Sequence, residues 1–147
     1  MRRTLAALIL GLAAGQAGAE GYTARTNYML RCTGCHGMDG SGSEQAGIPD
    51  FRGYVGSFAR SEPGRTYLMH VPGVVNSSLS DGEIAAVMNY VMESYAGASK
   101  AADAAPFTAD EVAVLRAVPV ADVVALRREV VAGCTQAGWP VAGYPWP

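Results

Sequence analysis

Cys32-Thr33-Gly34-Cys35-His36 is the stretch from which the rest of the chain is read. Two thiols three positions apart on one helical turn can add to the two vinyl groups of a haem as thioethers, while the adjacent imidazole turns toward the iron. Three rival uses of such a motif are weaker. A thioredoxin-like dithiol needs a strand before it and a βαβ surrounding, and nothing here reads as parallel sheet. Structural zinc takes four ligands, yet there is no second Cys-x-x-Cys and no spaced histidine pair, the sequence holding only His36 and His70. A disulfide between Cys32 and Cys35 would close a very small loop and leave His36 unexplained. The motif therefore predicts one covalently attached haem c with its iron, held by Cys32, Cys35 and, as proximal metal ligand, His36.

Upstream of the motif, Tyr22 to Arg31 can form a short helix that carries it at its C-terminal end. Residues 1–19 read as a signal peptide: Arg2 and Arg3 are followed by the apolar run Leu5 to Leu12 and by the small residues Ala17-Gly18-Ala19. Cleavage after Ala19 would leave Glu20 at the N-terminus and deliver the protein to the periplasm. The apolar run is well short of the ~20 residues a spanning helix needs, so no permanent membrane anchor is expected. The formal charge is −2 over 147 residues, and losing two arginines brings it to about −4. No basic cluster suggests nucleic acid.

Downstream, Gly37 to Ser43 is rich in glycine and serine and reads as an exposed loop. Ile48 to Phe58 mixes apolar residues with glycine and proline, as irregular chain laid against a flat apolar object. A brief helix is expected over Gly64 to His70, ended by Pro72. Ser80-Asp81-Gly82-Glu83 is a capping box, and Ile84, Val87, Met88, Val91 and Tyr95 follow at helical spacing. That stripe should pack on the first helix around Tyr28. Residues 98–107 are poor in bulky groups and read as a linker. A second capping box, Thr108 to Glu111, opens a helix through Val112 and Leu115 that Pro119 closes. A last helix from Val120 or Ala121 to Gly133 and a Pro/Trp tail to Pro147 complete the chain. Cys134, without a partner once Cys32 and Cys35 are used, is expected to be buried, the alternative being a thiol that pairs between chains.

These features resemble the class I cytochrome c family over Gly21 to about Tyr95. The resemblance rests on Cys32-x-x-Cys35-His36 near the mature N-terminus, the loop Asp39-Gly40-Ser41-Gly42, and Leu79 to Val91 as a closing helix. It implies an all-α fold: a small helical domain over 20–97 wrapped round the haem, followed by the linker and a helical extension over 108–147. Relatives generally place a methionine followed by proline shortly before the Leu-Ser-Asp helix start, and here that slot reads Val71-Pro72. Met69 and His70 are the neighbours that could supply the distal ligand instead. A thioether raises the reduction potential and a second imidazole lowers it, within a span of about 0.8 V. Arg52, Arg65 and Asn76-Ser77-Ser78 are candidate partners of the haem propionates.

One-electron transfer, not catalysis, is the function expected, with Leu30, Phe51, Tyr54, Leu68 and Val74 holding water from the haem. Partners would be redox proteins met briefly, such as an exported dehydrogenase as donor and a terminal oxidase as acceptor. Two alternatives follow from particular features. An open distal site would suit a peroxidase-like or gas-sensing haem protein. The extension after Ala98 would suit a dedicated cytochrome subunit of a dehydrogenase complex, unless it folds back to cover apolar surface.

Overall fold

The computed structural model describes residues 21–143; the signal-peptide reading over 1–19 and the end of the Pro/Trp tail lie outside them. Eight α-helices follow one another among the described residues, which hold no sheet and a single isolated bridge between Ser43 and Ile48. Helix α1 is Ala24–Arg31, its start set by Thr23, whose hydroxyl accepts from the Thr26 amide at 3.2 Å. After Cys32 the chain makes a second turn, α2 (Thr33–His36), which ends at Gly37.

The 48–58 stretch is irregular except for α3 (Val55–Phe58), a buried turn. Helix α4 (Glu62–His70) begins two residues earlier than Gly64 because Ser61 caps it, accepting from the Gly64 amide, with Pro63 in the first turn. It stops at His70 because Pro72 forces Val71 into an extended conformation. Pro72–Val75 then forms α5, a turn the sequence reading did not anticipate.

Helix α6 (Asp81–Tyr95) carries both arms of its capping box: Glu83 N donates to Ser80 Oγ at 3.3 Å and Ser80 N to the Glu83 carboxylate at 2.9 Å. Its stripe of Ile84, Val87, Met88 and Val91 is buried, and α6 crosses α1 at Tyr28, whose ring meets those of Tyr90 and Tyr95 at 5.5 and 5.4 Å.

Helix α7 (Ala109–Ala117) keeps one arm of its expected capping box. Thr108 accepts from the Glu111 amide, but the Glu111 carboxylate turns away to bind Arg65 of α4. An ion pair to a helix that must be held outcompetes a local cap. Helix α8 (Val123–Gln136) starts later than Val120 because Asp122 caps it, accepting from Val124 and Ala125 amides, and it runs past Gly133 to a reversal at Gly138, φ +71°.

The extension folds back onto the rest of the chain. Helix α7 packs on α6 and α4, and α8 on α4 and α3. Val112, Leu115, Val130 and Cys134 share one buried cluster with Tyr28, Met69 and Met88. The connecting stretch is anchored too. Ser99 is fully buried, its hydroxyl donating to Ala96 O at 2.6 Å and accepting from Gly56 N at 3.0 Å, while Arg60 donates to Ser99 O. Glycine at 56 permits this approach, since a Cβ there would strike the backbone of Ser99 and Lys100.

Candidate haem site

The motif lies where α1 gives way to α2. Cys32 N still bonds to Tyr28 O at 2.9 Å, and His36 N bonds to Cys32 O at 2.9 Å, so the two cysteines and the histidine share one turn. Both cysteines are free thiols, Cys35 exposed and Cys32 half-buried against the core. Burial, then the neighbouring Cys35, raises the Cys32 thiol above its ordinary pKa.

The loop after the motif is pinned from beneath. Tyr28 Oη donates to Gly37 O at 2.8 Å, Tyr95 Oη to Met38 O at 2.9 Å, and Gly42 N to His36 O at 3.0 Å. The His36 ring stacks on Phe51 with centroids 3.9 Å apart and planes 19° from parallel. Burial lowers the His36 pKa, with the nearby Pro49 carbonyl acting the other way. Nδ1 is buried and makes no hydrogen bond of ordinary geometry. Two free thiols on one turn, an imidazole steadied by an aromatic face, and Leu30 exposed at 58 % two residues before Cys32 fit a covalently held apolar macrocycle.

The other candidates separate clearly. Met69 is fully buried in the core, on the face of α4 it shares with Arg65, four residues earlier, which meets α7. His70 is half-buried, and its Nδ1 lies 2.8 Å from Thr66 O. A carbonyl only accepts, so Nδ1–H is the donor of this bond. Arg65 is bound to Glu111 and lies over Phe107 at 3.7 Å; it secures the extension. Arg52 reaches Asp39 and Asp50 at the surface. Asn76 donates to Pro72 O, and Ser77 Oγ to Val74 O.

Leu68 is buried, Phe51, Tyr54 and Val74 partly so, and Leu30 is exposed. Cys134 is 1 % exposed with its thiol toward Ser57 O, a packing residue beyond the reach of another chain's thiol. Sequence reasoning placed Phe51 near the haem but did not foresee its stacking on His36, nor that Tyr28, Tyr90 and Tyr95 gather beneath the loop. Sequence separation hides both; the one cue was Tyr95 on the apolar stripe with Tyr28 opposite.

A helical fold that presents Cys32, Cys35 and His36 on one turn defines a covalent haem-binding protein. No protein-family model matches the chain. A Cytochrome c-552 of Thermus thermophilus is 38 % identical over 138 residues, covering 80 % of this chain and 88 % of that protein. A second Thermus thermophilus protein of the same name is 36 % identical over 105 residues, 59 % of this chain and 79 % of that one. The chain belongs to the class I c-type cytochromes, all-α electron carriers with covalently bound haem c and its iron.

Proposed function

We propose that this cytochrome is exported and carries single electrons between periplasmic redox proteins, with Cys32 and Cys35 bonded to the haem and His36 its proximal ligand. The observation that carries the reading is the shared turn of these three residues, with His36 held against Phe51. Haem supplies the one-electron iron couple. The chain's residues do the rest: the cysteines prevent loss of the group, Phe51 and the pinned loop fix the imidazole plane, and Leu68 and Val74 exclude water.

His70 is the favoured distal ligand. Residues 71–79 contain no Met, His, Cys or Lys, and Met69 is committed to the core. Support for His70 comes from its Nδ1–H bond to the Thr66 carbonyl, the arrangement that leaves Nε2 free to bind a metal. Two imidazoles would place the potential toward the low end of the family's range.

The address expected at 1–19 supports export; no helix among the described residues is long and apolar enough to cross a membrane. Transient partners of the donor-dehydrogenase and acceptor-oxidase kinds fit a carrier that makes no bond itself, and no catalytic role is assigned to it.

Tryptic mass analysis of the purified protein should show the haem mass on the peptide from Cys32 to Arg52, which carries the motif. Its absorption spectrum should be six-coordinate, low-spin and unmoved by carbon monoxide. Replacing His70 by alanine should give a high-spin form that binds carbon monoxide, whereas Met69→Leu should not. A sulfur-to-iron charge-transfer band in the native protein would refute His70 ligation. A high-spin native iron would refute the simple carrier.

A further inference from the structure

The helix that carries His70 is held from outside the part of the fold that carries the cysteines. The backbone of α4 packs closely on α3, α5, α7 and α8, and not on α1 or α6. Helices α1 and α6 pack on each other, and α7 packs on both α6 and α4. Polar ties follow the same route. Asn89 of α6 donates from Nδ2 to Phe107 O at 2.9 Å and accepts from Phe107 N at 2.8 Å. The Phe107 ring, 4 % exposed, lies under the Arg65 guanidinium of α4 at 3.7 Å. Arg65 in turn donates to both Glu111 carboxylate oxygens on α7 and, at 3.3 Å, to Ala105 O. Arg116 of α7 pairs with Asp81 of α6. These polar ties join α6 to α4 by way of the stretch 105–116.

Apolar packing, such as that of Met69 in the cluster it shares with Met88, has no preferred direction and tolerates sliding. A two-way amide bond and a forked ion pair each need donors and acceptors in one register. A shift at Arg65 reaches His70, five residues on, because a helix is stiff; their separation along its axis is about 7.5 Å. The His70 ring is fastened to that same helix by Nδ1–H to Thr66 O at 2.8 Å, so it moves with α4. A metal–nitrogen bond keeps its length to within about 0.2 Å, and a small slide of α4 is enough to strain it.

We propose that Asn89, Arg65 and Glu111 are positioning residues for the distal ligand: through the extension they keep α4 in register with α6, and so keep His70 at the iron. The inference rests on the reading of His70 as that ligand. The extension then does more than cover apolar surface. Loosening it opens the sixth position to an added ligand, while His36, next to α1, stays bound.

The test is cyanide uptake by the ferric, haem-loaded full-length protein, followed as the shift of its absorption maximum. Glu111→Gln and Asn89→Ala should each take up cyanide faster than the native protein, on the order of tenfold. Thr23→Ala, which removes the cap of α1 without touching α4, should react at the native rate. Amide hydrogen exchange of the same haem-loaded variants should quicken in α4 ahead of α1 and α6. A native rate of uptake in either variant, a Thr23→Ala rate raised as much as theirs, or exchange that quickens equally in all helices overturns the proposal, since the extension then serves general stability alone. If His70→Ala leaves the native spectrum and the cyanide rate unchanged, the reading of His70 as ligand falls instead.

Discussion

Replacing Arg65 by alanine should loosen the extension from α4, and the size of the effect follows from the geometry. Nε and Nη2 of Arg65 donate to the two Glu111 carboxylate oxygens at 2.5 and 2.6 Å, a forked pair with side-chain exposures of 13 % and 31 %. An exposed pair contributes up to about 1 kcal/mol and breaking a buried one costs about 3–5, so a half-buried pair should lie near 2 kcal/mol. The guanidinium also sits 3.7 Å from the Phe107 ring centroid, which adds about 1 kcal/mol. Arg65→Ala should therefore cost roughly 3 kcal/mol and lower Tm by about 10 °C for a chain of this length. Arg65→Lys keeps the charge without the fork and should recover only part of it. The assay is thermal and urea unfolding of the haem-loaded protein by far-ultraviolet circular dichroism, over the cycle Arg65→Ala, Glu111→Ala and both. A coupling energy below ~0.5 kcal/mol would refute the reasoning, because the pair would then behave as a solvated surface contact.

Other expectations are narrower. Gly56→Ala should cost on the order of 2 kcal/mol by forcing α3 away from the Ser99–Lys100 backbone, visible as a lower urea midpoint. Cys134 should resist iodoacetamide in the native protein and react on unfolding, since burial both hides the thiol and raises its pKa; labelling at native rates would refute this. Asp50 is held below the usual carboxylate range chiefly by its hydrogen bond from Arg52. A lowered folded pKa gives stability that is full above the unfolded value of about 3.9 and is lost as pH falls through the folded one. Asp50→Asn should thus flatten the acid limb of the stability curve below about pH 4, and an unchanged limb would count against the ion pair.

Much of the fold was written locally. Ser80 and Glu83 fix the start of α6 wherever that helix lies, because both halves of the cap come from four consecutive residues. Pro72 ends α4 by sterics alone. Thr108-Ala109-Asp110-Glu111 carries the same cap signal in sequence, yet its glutamate binds an arginine 46 residues away. Arg65, a candidate for propionates by residue type, is for the same reason part of the packing. Residues 98–107 look like a linker because they lack bulk; what anchors them is one buried serine hydroxyl and a glycine on another element.

The sequence by itself determined the cofactor motif, the helical class and those helix ends set by a local cap or proline, such as the start of α6 and the stop of α4, since each depends on groups a few bonds apart along the chain. Tertiary structure alone decided which side chains of α4 face the core, so that Met69 is fully buried while His70, its neighbour, is half-buried with Nδ1 on the Thr66 carbonyl. It also decided that Phe51 supports His36 and that three tyrosines meet behind it. Those contacts join residues far apart in the chain, and only the packing of α1, α6 and the 48–58 segment brings them within reach.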